Sequence, residues 1–168
     1  MRLVIISGLS GSGKSVALNV LEDTGFYCID NIPVGLLRSF IKEIESRRDP
    51  EYDQVGVGLD ARNLPDIDQL PDLIRDLRSN AARCELVFLQ ADDDVLLSRF
   101  SETRRKHPLT NHSISLPEAV AKERELLGPI IDMADLLIDT SSTTVYDLRD
   151  LMRDRVATRA DTALSILI

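Results

Sequence analysis

The amino-acid sequence predicts an α/β domain in which helices cover both faces of a parallel, five-stranded sheet. Five short runs rich in Val, Ile, Leu and Phe are apolar at consecutive positions, which is typical of strands buried on both faces. The stretches between these runs carry apolar residues at helical spacing. Such alternation of strand and helix indicates parallel strands joined by helical crossovers.

The individual elements follow from apolar spacing and from residues that end helices. Val16, Val20 and Leu21 form one helical stripe, and Gly25 follows it at the place where a C-terminal glycine is expected. A second helical stripe covers residues 70–77. The predicted strands cover residues 3–6, 26–29, 55–59, 86–89 and 136–138.

Two later helices are marked by their first residues. Ser115 and Glu118 form a capping box, in which each residue satisfies a backbone N–H group near the other. Thr143 or Thr144 can cap a last helix, which we expect over about residues 145–159.

Composition and charge narrow the function classes. Of the 168 residues, 43% are hydrophobic and 29% are charged, as in an ordinary globular domain. No apolar run approaches the roughly 20 residues that cross a bilayer, and the first residues do not form a signal peptide. We therefore expect a cytoplasmic protein without membrane contact. The net charge of −8 disfavours nonspecific nucleic-acid binding by the chain as a whole. Cys28 and Cys84 match no zinc-ligand spacing with the two histidines.

A glycine-rich motif, G-x-x-x-x-G-K-S, follows the first predicted strand. In such a motif the backbone N–H groups wrap phosphates, Lys14 reaches the β- and γ-phosphates, and the Ser15 hydroxyl holds Mg²⁺. A flexible Gly/Ser turn is the alternative, but the position between a strand and an amphipathic helix favours the phosphate loop of a kinase-like P-loop NTPase. The sequence therefore predicts ATP or GTP with Mg²⁺ as the ligand. The predicted nucleotide-binding residues of the loop are Gly8, Leu9, Ser10, Gly11, Ser12, Gly13, Lys14 and Ser15.

Asp30 and Asp60 follow two predicted strands, at the edge of the sheet where ligands of open α/β sheets bind. Either carboxylate can orient water on Mg²⁺. Asp60 is the preferred metal residue if its strand neighbours the first strand, and Asp30 then faces the acceptor or the γ-phosphate. The alternative for each is a turn or helix-cap aspartate.

The stretch Asp60, Ala61, Arg62 and Asn63 places a carboxylate, a guanidinium and an amide together. Because a carboxylate can accept hydrogen bonds from N1 and N2 of guanine, this stretch can read a base as well as hold a metal. The residues alone leave both roles open.

Arg104 and Arg105 end a predicted helix that starts near Asp93. Two arginines at this place resemble the lid of small P-loop kinases, where they neutralise charge on the transferred phosphoryl group. The alternative is that both cations complement the dipole of the helix C-terminus. By weak analogy with the same kinases, base contacts are expected around residues 140–142.

Longer stretches of the chain resemble the RapZ/YvcJ family, the RNase adapter proteins of bacteria. The most specific one is SGLSGSGKSVALNVLEDTGFYCIDNIPVGLL, which joins the glycine-rich motif to a GFYCIDNIP stretch. The matching stretches follow one another in the order expected of the family. They are residues 7–37, DARN at 60–63, SETRRKHPL at 101–109, LLGP at 126–129 and ADLLIDTS at 134–141.

The resemblance implies an N-terminal, kinase-like domain that binds ATP through the glycine-rich loop and has modest ATPase and GTPase activity. It assigns the stretch Asp60–Asn63 to GTP. Some members bind small regulatory RNA and guide an endoribonuclease to it, and a C-terminal domain is implicated in that binding. Residues 163–168 are apolar and strand-like, and an apolar strand left exposed invites aggregation. We therefore expect these residues to belong to a further segment, and a P-loop domain to cover residues 1–160. Residues 161–168 then begin a linker or strand that leads to a missing C-terminal domain, and RNA and endoribonuclease would be partners of the full-length protein only.

Three functions are compatible with these residues. The favoured one is a regulatory nucleotide-binding module with weak NTPase activity. Its candidate catalytic residues are Lys14, Asp30, Arg104 and Arg105, and its candidate metal ligands are Ser15 and Asp60. The second is a small-molecule kinase, which needs an acceptor pocket. The third is a nucleic-acid adapter with a vestigial nucleotide loop. A homo-oligomer is compatible with each of them.

Overall fold

The computed structural model describes residues 1–80 and 83–158, without the side chains of residues 63–65. The apolar segment 163–168 and the domain end expected near residue 160 lie outside the described residues. All five predicted strands are confirmed, and they form one parallel sheet in the order β2-β3-β1-β4-β5. The strands are β1 Arg2–Gly8, β2 Tyr27–Ile29, β3 Gln54–Gly58, β4 Arg83–Gln90 and β5 Leu136–Asp139.

Helices connect consecutive strands, as the alternating pattern predicted. Sequence spacing did not assign α2, which lies between β2 and β3, although it buries an apolar face like the others. Short 3₁₀ helices at Pro50–Tyr52 and Ala61–Gln69 flank β3. The α-helices are α1 Lys14–Asp23, α2 Val34–Arg47, α3 Leu70–Ser79, α4 Asp93–Thr103, α5 Leu116–Asp132 and α6 Val145–Met152.

The predicted helix ends are right in three places and need one correction. Gly25 follows α1 in the left-handed conformation, and its N–H donates to the carbonyl of Glu22 at 3.0 Å. The capping box of Ser115 and Glu118 starts α5, and Thr144 caps α6. The last helix, however, is α-helical only as far as Met152, because residues 153–157 form a π-helical turn; Arg159 lies outside the described residues.

Two apolar layers enclose the sheet, because alternate residues of a strand point to opposite faces. In β1, Leu3 and Ile5 pack with the cluster that includes residues of α2, α3 and α5. Val4 and Ile6 pack on the other face with α1 and α6. Helices therefore cover both faces, and the carboxyl ends of the strands are left to form a site. None of the described helices combines the length and apolarity that crossing a membrane requires.

Candidate functional site

The glycine-rich motif forms a loop that leaves the carboxyl end of β1 and enters α1. Gly13 is the N-cap of α1 and has a φ of 109°, in the left-handed region that favours glycine. A Cβ atom at Gly13 would lie 2.7 Å from Cδ2 of Leu148 in α6. This position therefore requires glycine both for its backbone and for space.

The loop presents backbone donors at the start of α1. The N–H groups of Gly13, Lys14 and Ser15 make no hydrogen bond to a backbone acceptor among residues 1–80 and 83–158, as expected in the first turn of a helix. The helix dipole adds partial positive charge at the same place. Together these features suit the start of α1 to the binding of an anion.

Lys14 supplies the charged group of the loop. Its Nζ donates to the carbonyl oxygen of Gly8 at 2.8 Å and to that of Leu9 at 3.3 Å. Burial lowers the pKa of Lys14, although the charges of the nearby Glu123 and other carboxylates oppose this shift. In the part of the chain that the structure describes, only carbonyl oxygens accept hydrogen bonds from the ammonium group. A phosphate oxygen can therefore replace them at little cost in hydrogen bonds.

The loop opens into a cleft of about 790 Å³, a size that suits a small-molecule ligand. Residues 10–15 form its floor, while Gly8 and Leu9 lie buried beneath and do not line it. Asp30, Asp60 and Arg62 line one side. The end of α4, the segment that follows it and the loop after β5 line the rest.

Asp60 lies at the carboxyl end of β3, and β3 pairs directly with β1, which was the condition for its preferred metal role. Its carboxylate caps the 3₁₀ helix by accepting the Arg62 N–H at 2.8 Å, and it also accepts Nη2 of Arg62 at 2.6 Å. Burial alone would raise the pKa of Asp60, but the hydrogen bonds from Arg62 and the charge of Lys14 outweigh it and lower the pKa. Ala61 is buried beside this pair, and the side chain of Asn63 lies outside the description.

Asp30 stands at the end of β2 and keeps an exposed carboxylate in the cleft. A Cβ atom at Gly58 of β3 would overlap the Asp30 carboxylate and would lie 2.6 Å from Cδ1 of Leu18. The absence of a side chain at Gly58 thus makes room for Asp30. Unlike Asp60, Asp30 is not held by an ion pair in the described part of the chain.

The two arginines after α4 are separated by the structure. Arg105 and the adjacent Lys106 line the cleft. Arg104 is the C-cap residue of α4, in a left-handed conformation with a φ of 52°, and it does not line the cleft. Of the predicted pair, Arg105 is therefore the one placed beside the phosphate loop.

A buried carboxylate, that of Glu123 in α5, anchors the loop from below. Its Oε1 accepts the Ser10 hydroxyl at 2.7 Å, and its Oε2 accepts the Ser10 N–H at 2.9 Å. Nε2 of His107 lies 2.9 Å from the same Oε2. Burial alone would raise the pKa of Glu123, but hydrogen bonds from His107 and Ser10 and the charge of Lys14 lower it.

A second anchor comes from α4 and the loop after β5. The hydroxyl of Thr140 donates to the Ser12 carbonyl at 2.9 Å. Arg99 donates to the Gly11 carbonyl at 3.0 Å and to the Thr140 carbonyl at 2.6 Å. The phosphate loop is therefore held on two sides by residues far along the chain. Thr140 belongs to the stretch expected to contact a base, but here it acts on the loop.

Sequence reasoning missed the residues Glu123, His107 and Arg99. One signal for Glu123 was present, because it interrupts an apolar helical stripe that includes Val120 and Leu127. A glutamate in such a stripe must be buried and needs partners. Nothing in the spacing of His107 or Arg99 indicates which partners they find.

The donor set fits a magnesium–nucleotide complex better than a metal held by protein alone. Ser15 is exposed in the cleft, and Asp30 offers a carboxylate there, whereas the Asp60 carboxylate is occupied by Arg62. Mg²⁺ usually takes one or two protein ligands together with phosphate oxygens and water. Ser15, with one of the two aspartates, would supply that small number.

The comparisons with known proteins agree with this geometry. The model of the RapZ-like N-terminal domain matches residues 1–160. The chain belongs to this family. A nucleotide-binding protein of Pseudomonas paraeruginosa is 49% identical over 169 aligned residues, which cover 100% of this chain and 59% of that protein. The chain thus spans about three fifths of the length of the curated relatives it matches.

Solved structures with low sequence identity share the fold of this RapZ-like domain. Shikimate kinase from Bacteroides thetaiotaomicron superposes with a TM-score of 0.57 at 14% identity, covering 91% of this chain and 96% of the kinase. A gluconokinase from Sinorhizobium meliloti gives a TM-score of 0.56 at 18% identity, covering 98% and 95%. The fold is therefore that of P-loop NTPases of the kinase type, as predicted.

Proposed function

We propose that this RapZ-like domain is a regulatory module that binds ATP or GTP with Mg²⁺ and hydrolyses it slowly. The observation that carries the proposal is the phosphate loop itself. Its N–H groups at the start of α1 and the Lys14 ammonium group face a cleft large enough for a nucleotide.

Triphosphate binding would proceed through these donors. Lys14 would exchange the carbonyl oxygens of Gly8 and Leu9 for β- and γ-phosphate oxygens. Mg²⁺, when bound, would neutralise phosphate charge, and the Ser15 hydroxyl would help to hold it. Arg105 would approach the γ-phosphate from the opposite wall of the cleft.

Weak hydrolysis needs a water molecule placed in line with the γ-phosphate. Asp30 is the better candidate for positioning it, because its carboxylate is exposed in the cleft. Lys14 and Arg105 would stabilise the developing charge. Arg104 does not line the cleft in the present arrangement, so the segment after α4 would have to move before it could take part.

Asp60 and Arg62 fit a role in selecting the nucleotide or in completing the metal site. Their ion pair lines the cleft, so a ligand that reaches it must either break the pair or contact its outer side. Guanine can exchange hydrogen bonds with a carboxylate, and this supports GTP as a ligand of the stretch 60–63.

A kinase acting on a small metabolite is the second candidate. The specific observation in its favour is that Asp30 and Arg62 line the same cleft as the phosphate loop. They offer one carboxylate to a hydroxyl group and one guanidinium to an anionic substrate. We rank this function second because Arg62 is already paired with Asp60.

Binding of small RNA and of an endoribonuclease, which the resemblance implies, is proposed only for the longer protein. The net charge of −8 on this chain supports assigning RNA contacts elsewhere. A cytoplasmic location and a homo-oligomer stay predictions.

Calorimetric titration of Mg·ATP and Mg·GTP, together with an assay of phosphate release, tests the proposal. We expect binding by the wild type and by Lys122→Ala, whose lysine is exposed on α5. Lys14→Ala should bind about 100-fold more weakly or worse. Equal affinity of Lys14→Ala and wild type would contradict the proposed site. Fast turnover that depends on an added metabolite would favour the kinase.

A further inference from the structure

Glu123 joins the phosphate loop, which forms the floor of the cleft, to the segment that carries Arg105 and Lys106 along its side. Its side chain is fully buried, and within the described residues it accepts three hydrogen bonds from two residues of other elements. Two of the hydrogen bonds come from Ser10 in the phosphate loop. The third comes from His107, in the segment between α4 and α5. We call residues 104–115 the connecting segment.

The geometry around His107 defines its protonation. Nδ1 accepts the N–H of Leu109 at 3.1 Å and therefore carries no hydrogen. Nε2 must bear the ring proton, and it donates to Oε2 of Glu123. The imidazole is thus a neutral donor to an ionised carboxylate, which is a strong and directional arrangement.

His107 also organises the connecting segment around itself. Its carbonyl oxygen accepts the Thr110 hydroxyl at 2.7 Å and the Thr110 N–H at 3.0 Å. Its ring packs against Phe100 of α4, with centroids 5.2 Å apart. Arg105 and Lys106 precede it directly and line the cleft. The two cations are therefore joined directly to a buried residue whose place is fixed by contacts with other elements.

We infer that Glu123 is a positioning residue that couples the phosphate loop to the connecting segment, so that nucleotide binding at the loop moves or orders Arg105 and Lys106. This inference rests on the proposed nucleotide binding. When phosphates engage the loop, any shift of Ser10 displaces a carboxylate that also holds His107. Because the carboxylate is buried, water cannot substitute for either partner, and the shift is passed on.

Hydrogen exchange of the connecting segment, measured with and without saturating Mg·ATP or Mg·GTP, tests this coupling. In the wild type we expect nucleotide to slow exchange there about tenfold. His107→Phe keeps an aromatic ring against Phe100 but cannot donate to Glu123, and the slowing should fall below about twofold. His107→Gln restores an Nε2 donor at a similar reach and should restore the slowing.

Two further variants make the result specific. His112→Ala is the matched control, because His112 is an exposed histidine of the same segment, and it should respond as the wild type does. Ser10→Ala removes only one of the three donors to Glu123 and should give an intermediate response. It keeps the test decisive if His107→Phe does not fold.

The outcomes separate this inference from the proposed function. Nucleotide binding with equal slowing in wild type, His107→Phe and Ser10→Ala would overturn the coupling alone, since Arg105 and Lys106 would then respond by direct contact. Absence of nucleotide binding in the wild type would overturn the proposed function and the coupling together.

Discussion

Strand β1 begins with the shielded cation Arg2, and the loop beyond its end carries the shielded cation Lys14. The two cations are held by different kinds of partner. Arg2 is 6% exposed, pairs with Glu85 at 2.9 Å and donates to the Val156 carbonyl at 2.6 Å. Its guanidinium also lies 5.4 Å from the centre of the Phe26 ring. Among the described residues Lys14 donates to loop carbonyls alone, and its surrounding carboxylates act at longer range.

This difference separates a structural cation from one available to a ligand. The partners of Arg2 belong to β4 and to the turn after α6, so losing them would cost folding free energy. The partners of Lys14 are oxygens that a phosphate can replace. At the amino end of the sheet, Arg2 is therefore committed to partners within the protein. At the carboxyl end, Lys14 stays available to a ligand.

The largest effect is expected from Arg2→Ala, which leaves the Glu85 carboxylate without its close partner. The free energy of unfolding should fall by about 3 kcal/mol, while nucleotide affinity should stay unchanged. Denaturant unfolding measures the first quantity and calorimetry the second. Arg83→Ala is the control, because Arg83 contacts the same carboxylate at 3.5 Å but has a side chain that is 45% exposed. This variant should cost under about 0.5 kcal/mol. Equal losses of unfolding free energy in Arg2→Ala and Arg83→Ala would contradict the structural role assigned to Arg2.

Lys14→Ala should show the reverse behaviour. Nucleotide affinity should fall by about 100-fold or more, roughly 2.7 kcal/mol, because the cation that we propose to contact the phosphates is gone. The free energy of unfolding should stay constant or rise, since burial disfavours the charged form of Lys14 and lowers its pKa. A marked loss of stability in urea would show that Lys14 is as structural as Arg2.

Gly13→Ala tests whether the open end of the sheet depends on close packing of the loop. The new methyl group would meet Leu148 and would require a left-handed alanine, so we expect about tenfold weaker binding and a stability loss of about 1–2 kcal/mol. Gly128→Ala in α5 is the matched control, because no atom lies within 4 Å of its added Cβ. It should stabilise the protein by up to about 1 kcal/mol. Nucleotide affinity and unfolding free energy are measured for both variants. Equal values of both quantities in Gly13→Ala and Gly128→Ala would contradict the expectation.

The smallest effect concerns the carboxylate beneath the loop. In the folded protein the pKa of Glu123 lies below its ordinary value of 4.5, so the ionised group stabilises the fold above that pH. This contribution is lost as the pH falls through the lower, folded pKa. The difference in unfolding free energy between wild type and Glu123→Gln should therefore shrink below about pH 4.5.

Urea unfolding between about pH 3 and pH 7, a range set by that pKa, measures this difference. In Glu123→Gln, an amide turned with its oxygen toward the loop can still accept from the Ser10 N–H and from His107, so the variant removes charge while it keeps hydrogen bonds. Glu125→Gln, on the exposed face of the same helix, should show no convergence with the wild type. A difference that widens on acidification would contradict the assigned direction of the pKa.

The features predicted from the sequence are those encoded by neighbouring residues. Consecutive apolar residues gave the five strands, the capping box gave the start of α5, and the glycine-rich motif gave the loop and Lys14. Asp30 and Asp60 were placed correctly at the strand ends because parallel strands bring their carboxyl ends to one edge.

Features that depend on distant contacts could not be predicted in the same way. Glu123 is 113 residues from Ser10, and Thr140 is 128 residues from Ser12. The π-helical end of the last helix and the separation of Arg104 from Arg105 likewise depend on tertiary packing and on one left-handed residue. Local spacing contains no information about such partners.

The long-range anchoring of the loop has a consequence for the order of folding. The loop is made early in synthesis, but the residues that hold it, Arg99, Glu123 and Thr140, follow much later in the chain. Contacts of such sequence separation form slowly and late. We therefore expect a nascent chain to acquire tight nucleotide binding only after residue 140 has left the ribosome, so that occupancy by nucleotide distinguishes finished domains from incomplete ones.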